Sequence, residues 1–172
     1  MAVAQQSETI LIRDKKGLDA AAKRGEELLY PSRTKIIVGM SSCGLAAGAG
    51  ELFSALRKQI DARELDIALA RTGCIGFCQR EPLVDVSLPE TRIIHASVKP
   101  IDIASLIEQA AQGEAISKKA LAYLEQPAPL LPGLDGVHPK PLHDKLPHLL
   151  DLDFYKKQRR IALRNCGLIN PD

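Results

Sequence analysis

The sequence predicts a small α/β domain with an open sheet, and three observations support this class. Short β-branched runs alternate with longer segments whose apolar residues recur at helical spacing. Hydrophobic residues make up 45% of the 172 residues but aromatic residues only 3%, so we expect an aliphatic core. Two cysteine-containing loops each follow a predicted strand. We therefore expect one compact domain that carries its functional groups at the ends of its strands.

The first half of the domain is predicted to alternate helices and strands. Pro31 ends the first helix, and Gly39 closes a β-branched run that is typical of a buried strand. The next apolar residues recur on one face of a long helix, and a second apolar run follows it. These four elements are expected at residues 16–29, 34–38, 45–60 and 65–69.

The second half is predicted to form a β-hairpin and a helix. Residues 83–88, which alternate in polarity, and residues 92–96 flank a turn at residues 89–91, and Pro100 opens a helix that Gly113 ends. Residues 115–124 are expected to form a further short helix. A right-handed crossover between the first two strands makes them parallel, beside the antiparallel hairpin. This order of elements is thioredoxin-like.

A Pro-rich extension is predicted to follow the domain. Residues 126–148 contain six prolines, which cannot continue a helix or a sheet, and their histidines His138, His143 and His148 are interpreted as solvated linker residues. Residues 153–163 are expected to begin as a helix, and Cys166 is expected to be a packed thiol in a loop. The predicted divisions are a disordered N-terminus (1–8), the domain (9–125), a Pro-rich linker (126–150) and a docking segment (151–172).

Charge and cysteine content exclude several classes of protein. The net charge is +2 with acids and bases interspersed, which does not favour binding to nucleic acid or to a membrane surface. The N-terminus has neither the cationic region nor the apolar region of a secretion signal. We therefore expect a cytoplasmic protein, in which four cysteines indicate metal or redox chemistry and not disulfide bonds.

Cys74 and Cys78 lie in a loop in which Gly73 and Gly76 permit tight turns. Thiolates are soft ligands for iron–sulfur clusters or zinc, and small neighbours let backbone amides approach the sulfur atoms. Two other interpretations stay open: a redox-active dithiol, or thiols that only fill a turn. The dithiol is less favoured because the spacing is one residue longer than Cys-x-x-Cys.

Cys43 is the third candidate metal ligand. It follows the first predicted strand and precedes a helix, where free backbone amides favour a thiolate or another anion. A structural zinc site that uses the same cysteines with a histidine such as His95 is an alternative to an iron–sulfur cluster. A small buried turn residue is the other interpretation of Cys43.

Three segments resemble a known family, in the same order along the chain. They are residues 43–49 (CGLAAGA), 72–83 (TGCIGFCQREPL) and 159–169 (RRIALRNCGLI). They resemble the N-terminal part of the NADH-dehydrogenase flavoprotein subunit family, which includes the complex I NADH-binding subunit and the β subunits of NAD-dependent and bifurcating hydrogenases. The resemblance implies a thioredoxin-like [2Fe-2S] ferredoxin domain that relays electrons to or from a flavoprotein partner.

The chain departs from the family pattern at the first pair of cluster ligands. Such ferredoxins carry four thiolates, and only Cys74 and Cys78 match the second pair. The family's first two positions fall on Gly39 and Gly44, or on Val38 if Cys43 is itself the second ligand. A fourth ligand would then come from Ser41, Ser42, another residue, a partner, or nowhere.

No Gly-rich phosphate loop follows a strand and opens a helix in this sequence. We therefore expect no FMN or NAD site, and we do not expect this polypeptide alone to oxidise NADH. The competing functional hypothesis is a domain without a cluster that serves as an assembly or docking subunit of an oxidoreductase complex.

Overall fold

The fold is built on one five-stranded sheet with helices beside it. The computed structural model describes residues 12–89, 91–125, 145–163 and 166–167. Its elements are α1 (Lys15–Leu29), β1 (Lys35–Gly39), α2 (Ser42–Ala46), α3 (Ala49–Ala62), β2 (Ala68–Thr72), β3 (Val84–Ser87), β4 (Thr91–His95), α4 (Ile103–Ala111), β5 (Ala120–Glu125) and α5 (Asp153–Lys156).

The strand order β2-β1-β3-β4-β5 confirms the predicted class. β1 pairs with β2 in parallel, from Lys35 opposite Ala68 to Gly39 opposite Thr72. β3 is the central strand and pairs antiparallel with both β1 and β4. It therefore joins the parallel pair to the hairpin. The α/β class and the thioredoxin-like order of a parallel pair followed by an antiparallel hairpin are therefore both present.

The short helix predicted over residues 115–124 is wrong, because this region forms the edge strand β5. β5 pairs antiparallel with β4, and it buries Ala122 and Tyr123. Ala and Leu are good helix formers, so local propensity favours a helix here. The free edge of β4 supplies a ladder of hydrogen bonds, and that tertiary pairing overrides the local preference.

Three other predicted boundaries differ from the structure. The helix expected over residues 45–60 is split into α2 and α3, because Gly48 adopts a left-handed conformation with φ of 95°. The strand expected at residues 65–69 lies three residues later, as β2, and ends just before the Cys74 loop. The helix expected from Asp153 extends only to Lys156.

The two faces of the sheet are covered differently. α3 and α4 cover one face, called here the helix face, with aliphatic side chains that include Ile36, Val38, Leu52, Leu56, Ile93 and Ile107. Residues 145–163 are called here the C-terminal segment; its Leu149, Leu152 and Tyr155 pack on the opposite face in a cluster with Ile75, Phe77 and Ile94, whereas its Leu146 packs against the helix-face cluster. Part of the predicted docking segment therefore packs on its own domain, and its docking role stays a prediction.

Within the described parts of the chain, no helix is both long and apolar enough to cross a bilayer. The predicted disorder of residues 1–8, most of the predicted linker, and two of its histidines, His138 and His143, lie outside the described residues. The interpretation of the third, His148, as a solvated linker residue is wrong, because its side chain is buried against Tyr123.

Candidate metal centre

Cys43 lies in the loop that connects β1 to α3. β1 ends at Gly39, and Ser41 caps α2, so Cys43 falls in the first turn of that short helix. The Ser41 hydroxyl lies 3.0 Å from the Cys43 sulfur. The sequence predicted Cys43 just before a helix, and the structure places it inside the first turn of one.

Cys74 and Cys78 lie between β2 and β3, as predicted. Gly76 has a φ of 88°, a left-handed conformation that only glycine adopts readily, and this conformation turns the loop between the two cysteines. The Gly76 amide donates a hydrogen bond to the Cys74 sulfur at 3.2 Å. Cys78 then begins a short 3-10 turn, Cys78–Arg80.

The structure brings the three predicted cysteines together at one end of the parallel strand pair. The Cys43 and Cys74 sulfurs are 3.7 Å apart, and the Cys74 and Cys78 sulfurs are 3.5 Å apart. All three sulfurs lie within 4.8 Å of one another. A tetrahedral metal with metal–sulfur bonds of about 2.3 Å has sulfur–sulfur edges of about 3.8 Å. The group therefore has the spacing of a thiolate metal site.

The three thiols do not ionise alike in the metal-free protein. The hydrogen bond from Ser41 lowers the pKa of the Cys43 thiol from its ordinary value. Cys78 is the most exposed of the three, and hydrogen bonding to Cys74 and then to Cys43 raises its pKa to about 12. The cluster of thiols thus holds at least one proton at neutral pH, which a metal ion would displace.

A carboxylate, Glu81, lies beside this group, next to Cys43. Its Oε1 lies 3.8 Å from the Cys43 sulfur, and its Oε2 accepts a hydrogen bond from the Leu83 amide at 2.7 Å. Burial raises the pKa of the Glu81 carboxyl from its ordinary value. Sequence reasoning missed this residue, although a carboxylate three residues after a candidate thiolate ligand was a usable signal.

The two glycines that replace the family's first pair of cysteines lie against Glu81. A Cβ added to Gly39 would lie 3.2 Å from Oε1 and 3.3 Å from Oε2 of Glu81. A Cβ added to Gly44 would lie 2.3 Å from the Gly39 carbonyl oxygen, closer than any real contact. Residue 44 therefore has no room for a side chain, whereas residue 39 faces the space that the carboxylate fills.

The C-terminal segment fixes the backbone of the second cysteine loop. The Ile75 carbonyl accepts hydrogen bonds from the Tyr155 hydroxyl at 3.4 Å and from the Arg160 guanidinium at 2.9 Å. Phe154 stacks on Phe77 with ring centroids 4.6 Å apart. Because burial raises the pKa of Tyr155 to about 12, its hydroxyl remains a donor at neutral pH. The sequence did not identify these contacts.

The remaining histidines and the fourth cysteine do not join the group in the described structure. His95 is buried on β4, and its ring nitrogens lie within hydrogen-bonding distance of the carbonyl oxygens of Val84, Ile93 and Ala115. The suggestion that His95 could be a zinc ligand is therefore wrong. Cys166 is half-buried and lies outside the cysteine group.

The chain matches no protein-family model, and the search of curated proteins gives no match. Among solved structures, the chain is similar to the wild-type thioredoxin-like [2Fe-2S] ferredoxin from Aquifex aeolicus, with 19% identity and a TM-score of 0.46 over 53% of this chain and 98% of that one. A second structure of a thioredoxin-like [2Fe-2S] ferredoxin from Aquifex aeolicus gives 20% identity and a TM-score of 0.48, over 57% and 96% of the two chains.

Proposed function

We propose that this protein is an electron-transfer module that holds a [2Fe-2S] cluster through Cys43, Cys74 and Cys78. The observation that carries this proposal is the convergence of three thiols from two loops, with sulfur–sulfur distances of 3.7 and 3.5 Å. The thiols do not converge simply to pack a core, because one of them, Cys78, is exposed.

The residues present fit the chemistry of such a cluster. Tetrahedral sulfur ligation is typical of iron–sulfur clusters and of zinc. The Gly76 amide donates to the Cys74 sulfur, and hydrogen bonds to the sulfurs are among the factors that set a cluster's reduction potential. Cys43, Cys74 and Cys78 would hold the cluster, which would supply reversible one-electron transfer at this site. The exposed Cys78 places one edge of the site at the surface, where a redox partner can approach.

The partner that we propose is a flavoprotein subunit of the NADH-dehydrogenase type. The three segments that resemble this family support the choice, and one of them contains the whole Cys74 loop. A reduced flavin on that partner would supply one electron, or an oxidised flavin would accept one. A cytoplasmic location remains a prediction that agrees with this role.

The test is to purify the full chain without oxygen and to quantify iron, acid-labile sulfide and zinc. We expect about two iron and two sulfide per chain, visible absorbance, and an electron paramagnetic resonance signal after one-electron reduction. A colourless, iron-free protein, even after anaerobic reconstitution with iron and sulfide, would overturn the electron-transfer proposal.

A second candidate function is an assembly or docking subunit that has lost its cluster. The observation in its favour is the number of thiols, since [2Fe-2S] clusters of this kind use four cysteine ligands and the group has three. The same measurement separates the two functions. One zinc ion per chain in place of iron would identify a structural site, because three thiolates and one oxygen also suit zinc.

A further inference from the structure

The geometry points to Glu81 as the fourth protein ligand of the cluster, so that a carboxylate replaces the missing thiolate. The inference rests on the proposed function and extends it, because three cysteines leave one iron coordination position without a protein ligand. It also predicts that the two irons differ, since one of them would bind an oxygen atom.

The first argument is distance. The Cys43 sulfur lies 3.8 Å from Oε1 of Glu81, close to the 3.7 Å between the Cys43 and Cys74 sulfurs and the 3.5 Å between the Cys74 and Cys78 sulfurs. Ligand bonds of about 2.3 Å to sulfur and about 2.1 Å to oxygen give a tetrahedral sulfur–oxygen edge of about 3.6 Å. Cys43 and Glu81 thus have the spacing of two ligands on one metal, and each iron of a [2Fe-2S] cluster needs two protein ligands.

The second argument is the orientation of the carboxylate. The Leu83 amide donates to Oε2 at 2.7 Å, which leaves Oε1 as the oxygen nearer to Cys43. A hydrogen bond of this kind to the second oxygen is how proteins orient ligating carboxylates. The side chain is thus held in place before any metal binds.

The third argument is the space beside two glycines. Glu81 occupies the volume next to Gly39, where a Cβ would lie 3.2 Å from Oε1. At Gly44 a Cβ would lie 3.4 Å from Oε2 but only 2.3 Å from the Gly39 carbonyl oxygen. Since residue 44 cannot carry a side chain, the carboxylate is the group that fills this side of the site.

The fourth argument is charge. None of the salt bridges observed within the described residues involves Glu81. The Leu83 amide and the Cys43 thiol compensate in part for the hydration that this partly buried carboxylate loses, but neither carries a positive charge. An iron ion at the cluster position would supply the missing positive charge.

Ser41 is the strongest competing ligand. Its hydroxyl oxygen lies 3.0 Å from the Cys43 sulfur, to which it can donate a hydrogen bond. To bind iron as an anion the hydroxyl would have to lose its proton, whereas carboxylate oxygens are ordinary metal ligands in proteins. Ser42 is exposed, and no contact links it to the thiols. Glu81 is therefore favoured over both serines.

The experiment compares iron retention in Glu81→Ala and Glu81→Gln with the wild type, with Glu27→Gln as the matched control and Ser41→Ala as the test of the competing ligand. Glu27 is exposed on α1, far along the chain from the site. We expect both Glu81 variants to lose iron to a chelator about tenfold faster or more, because even groups that only orient a metal ligand contribute 10–100-fold to affinity, roughly. Glu27→Gln should retain iron as the wild type does, and Ser41→Ala should lose iron more slowly than either Glu81 variant.

Mössbauer spectroscopy of protein loaded with ⁵⁷Fe supplies a readout that a loss of folding would not mimic. The oxidised wild type should show two unequal ferric sites, one of them with an oxygen ligand. The double variant Gly39→Cys/Glu81→Ala places a thiol in the space that the carboxylate leaves, so it should regain iron and show two similar sites. Circular dichroism would confirm that each variant is folded.

The outcomes separate this inference from the proposed function. If the wild type holds an iron–sulfur cluster and Glu81→Ala retains iron, sulfide and an unchanged Mössbauer spectrum, the Glu81 assignment is wrong and the electron-transfer proposal stands. Loss of iron in Ser41→Ala alone would assign the ligand to Ser41 and also overturn the inference. A wild type that never loads iron overturns both.

Discussion

The two cysteine loops lie at the same end of the sheet, but different faces of the sheet support them. The loop with Cys43 leads into α3, whose Leu52 and Leu56 are buried in the aliphatic core of the helix face. The loop with Cys74 and Cys78 is held by aromatic and hydrogen-bonding side chains of the C-terminal segment, above all Tyr155. One loop is thus fixed by a regular crossover helix and the other by an irregular segment distant in sequence.

Because the two loops are supported differently, we expect the stability of the domain and the order of the second cysteine loop to depend on different residues. The helix face buries aliphatic side chains over most of its area, so its contribution is spread over many contacts. The opposite face buries a salt bridge between Asp85 and Arg92, and Arg92 also donates to the Gly167 carbonyl oxygen at 2.7 Å. This face therefore combines a smaller hydrophobic cluster with a buried charged pair, which is costly to break.

The largest effect that we expect comes from breaking this buried salt bridge. Asp85→Ala leaves the Arg92 guanidinium buried, 2% exposed and without its anion, and should lower the free energy of unfolding by about 3–5 kcal/mol. Urea unfolding would measure it. The double variant Asp85→Leu/Arg92→Met removes both charges and should recover most of the loss. A double variant less stable than Asp85→Ala would contradict this account of the face.

A pair of large-to-small substitutions compares the two faces directly. Leu56→Ala and Tyr155→Ala each remove a fully buried side chain and should each cost about 3 kcal/mol of unfolding free energy. Only Tyr155→Ala removes a donor to the Ile75 carbonyl, so it alone should speed hydrogen exchange at the amides of residues 73–81. Equal acceleration of exchange in both variants would show that the C-terminal segment does not hold the loop.

The smallest effect concerns the protonation of the two loops in metal-free protein. Because the pKa of Cys43 is lowered, its thiolate forms as pH rises through a value below that of an ordinary cysteine, about 8.5, whereas Cys78, with a pKa of about 12, stays protonated there. Alkylation by iodoacetamide, followed residue by residue against pH, should give these two midpoints. Ser41→Ala should move the Cys43 midpoint upward, and an unchanged midpoint would remove Ser41 as the cause.

The comparison of predicted and observed elements shows where sequence patterns are sufficient. The β-branched run of β1 and the periodic apolar residues of α3 were predicted, because each pattern reports directly on one buried face. β5 was predicted as a helix, because Ala120–Glu125 favours helix locally and becomes a strand only through pairing with β4. The contact of Tyr155 with Ile75 joins residues 80 apart, and no local pattern reports on it.

Some residues of the candidate site were predicted from the sequence, and others were found only in the structure. Cys43, Cys74 and Cys78 were chosen from the sequence, because glycine-rich loops after strands bring thiols to one edge of a sheet, and the distances between their sulfurs confirm that they converge. His95 was considered as a ligand, but its three backbone partners place it inside the sheet. Glu81 was not chosen, because only the folded loop brings its carboxylate against Gly39 and Cys43.

The sequence by itself determined the α/β class, the parallel strand pair with its hairpin, and the thiols at the strand ends. Each of these follows from local periodicity and from the chemistry of single residues. Only the tertiary structure decided that residues 120–125 form a strand, that the C-terminal segment holds the Cys74 loop, and that Glu81 faces Cys43. Those three features depend on contacts between segments far apart in the chain, whose geometry exists only after the sheet and its two faces have formed.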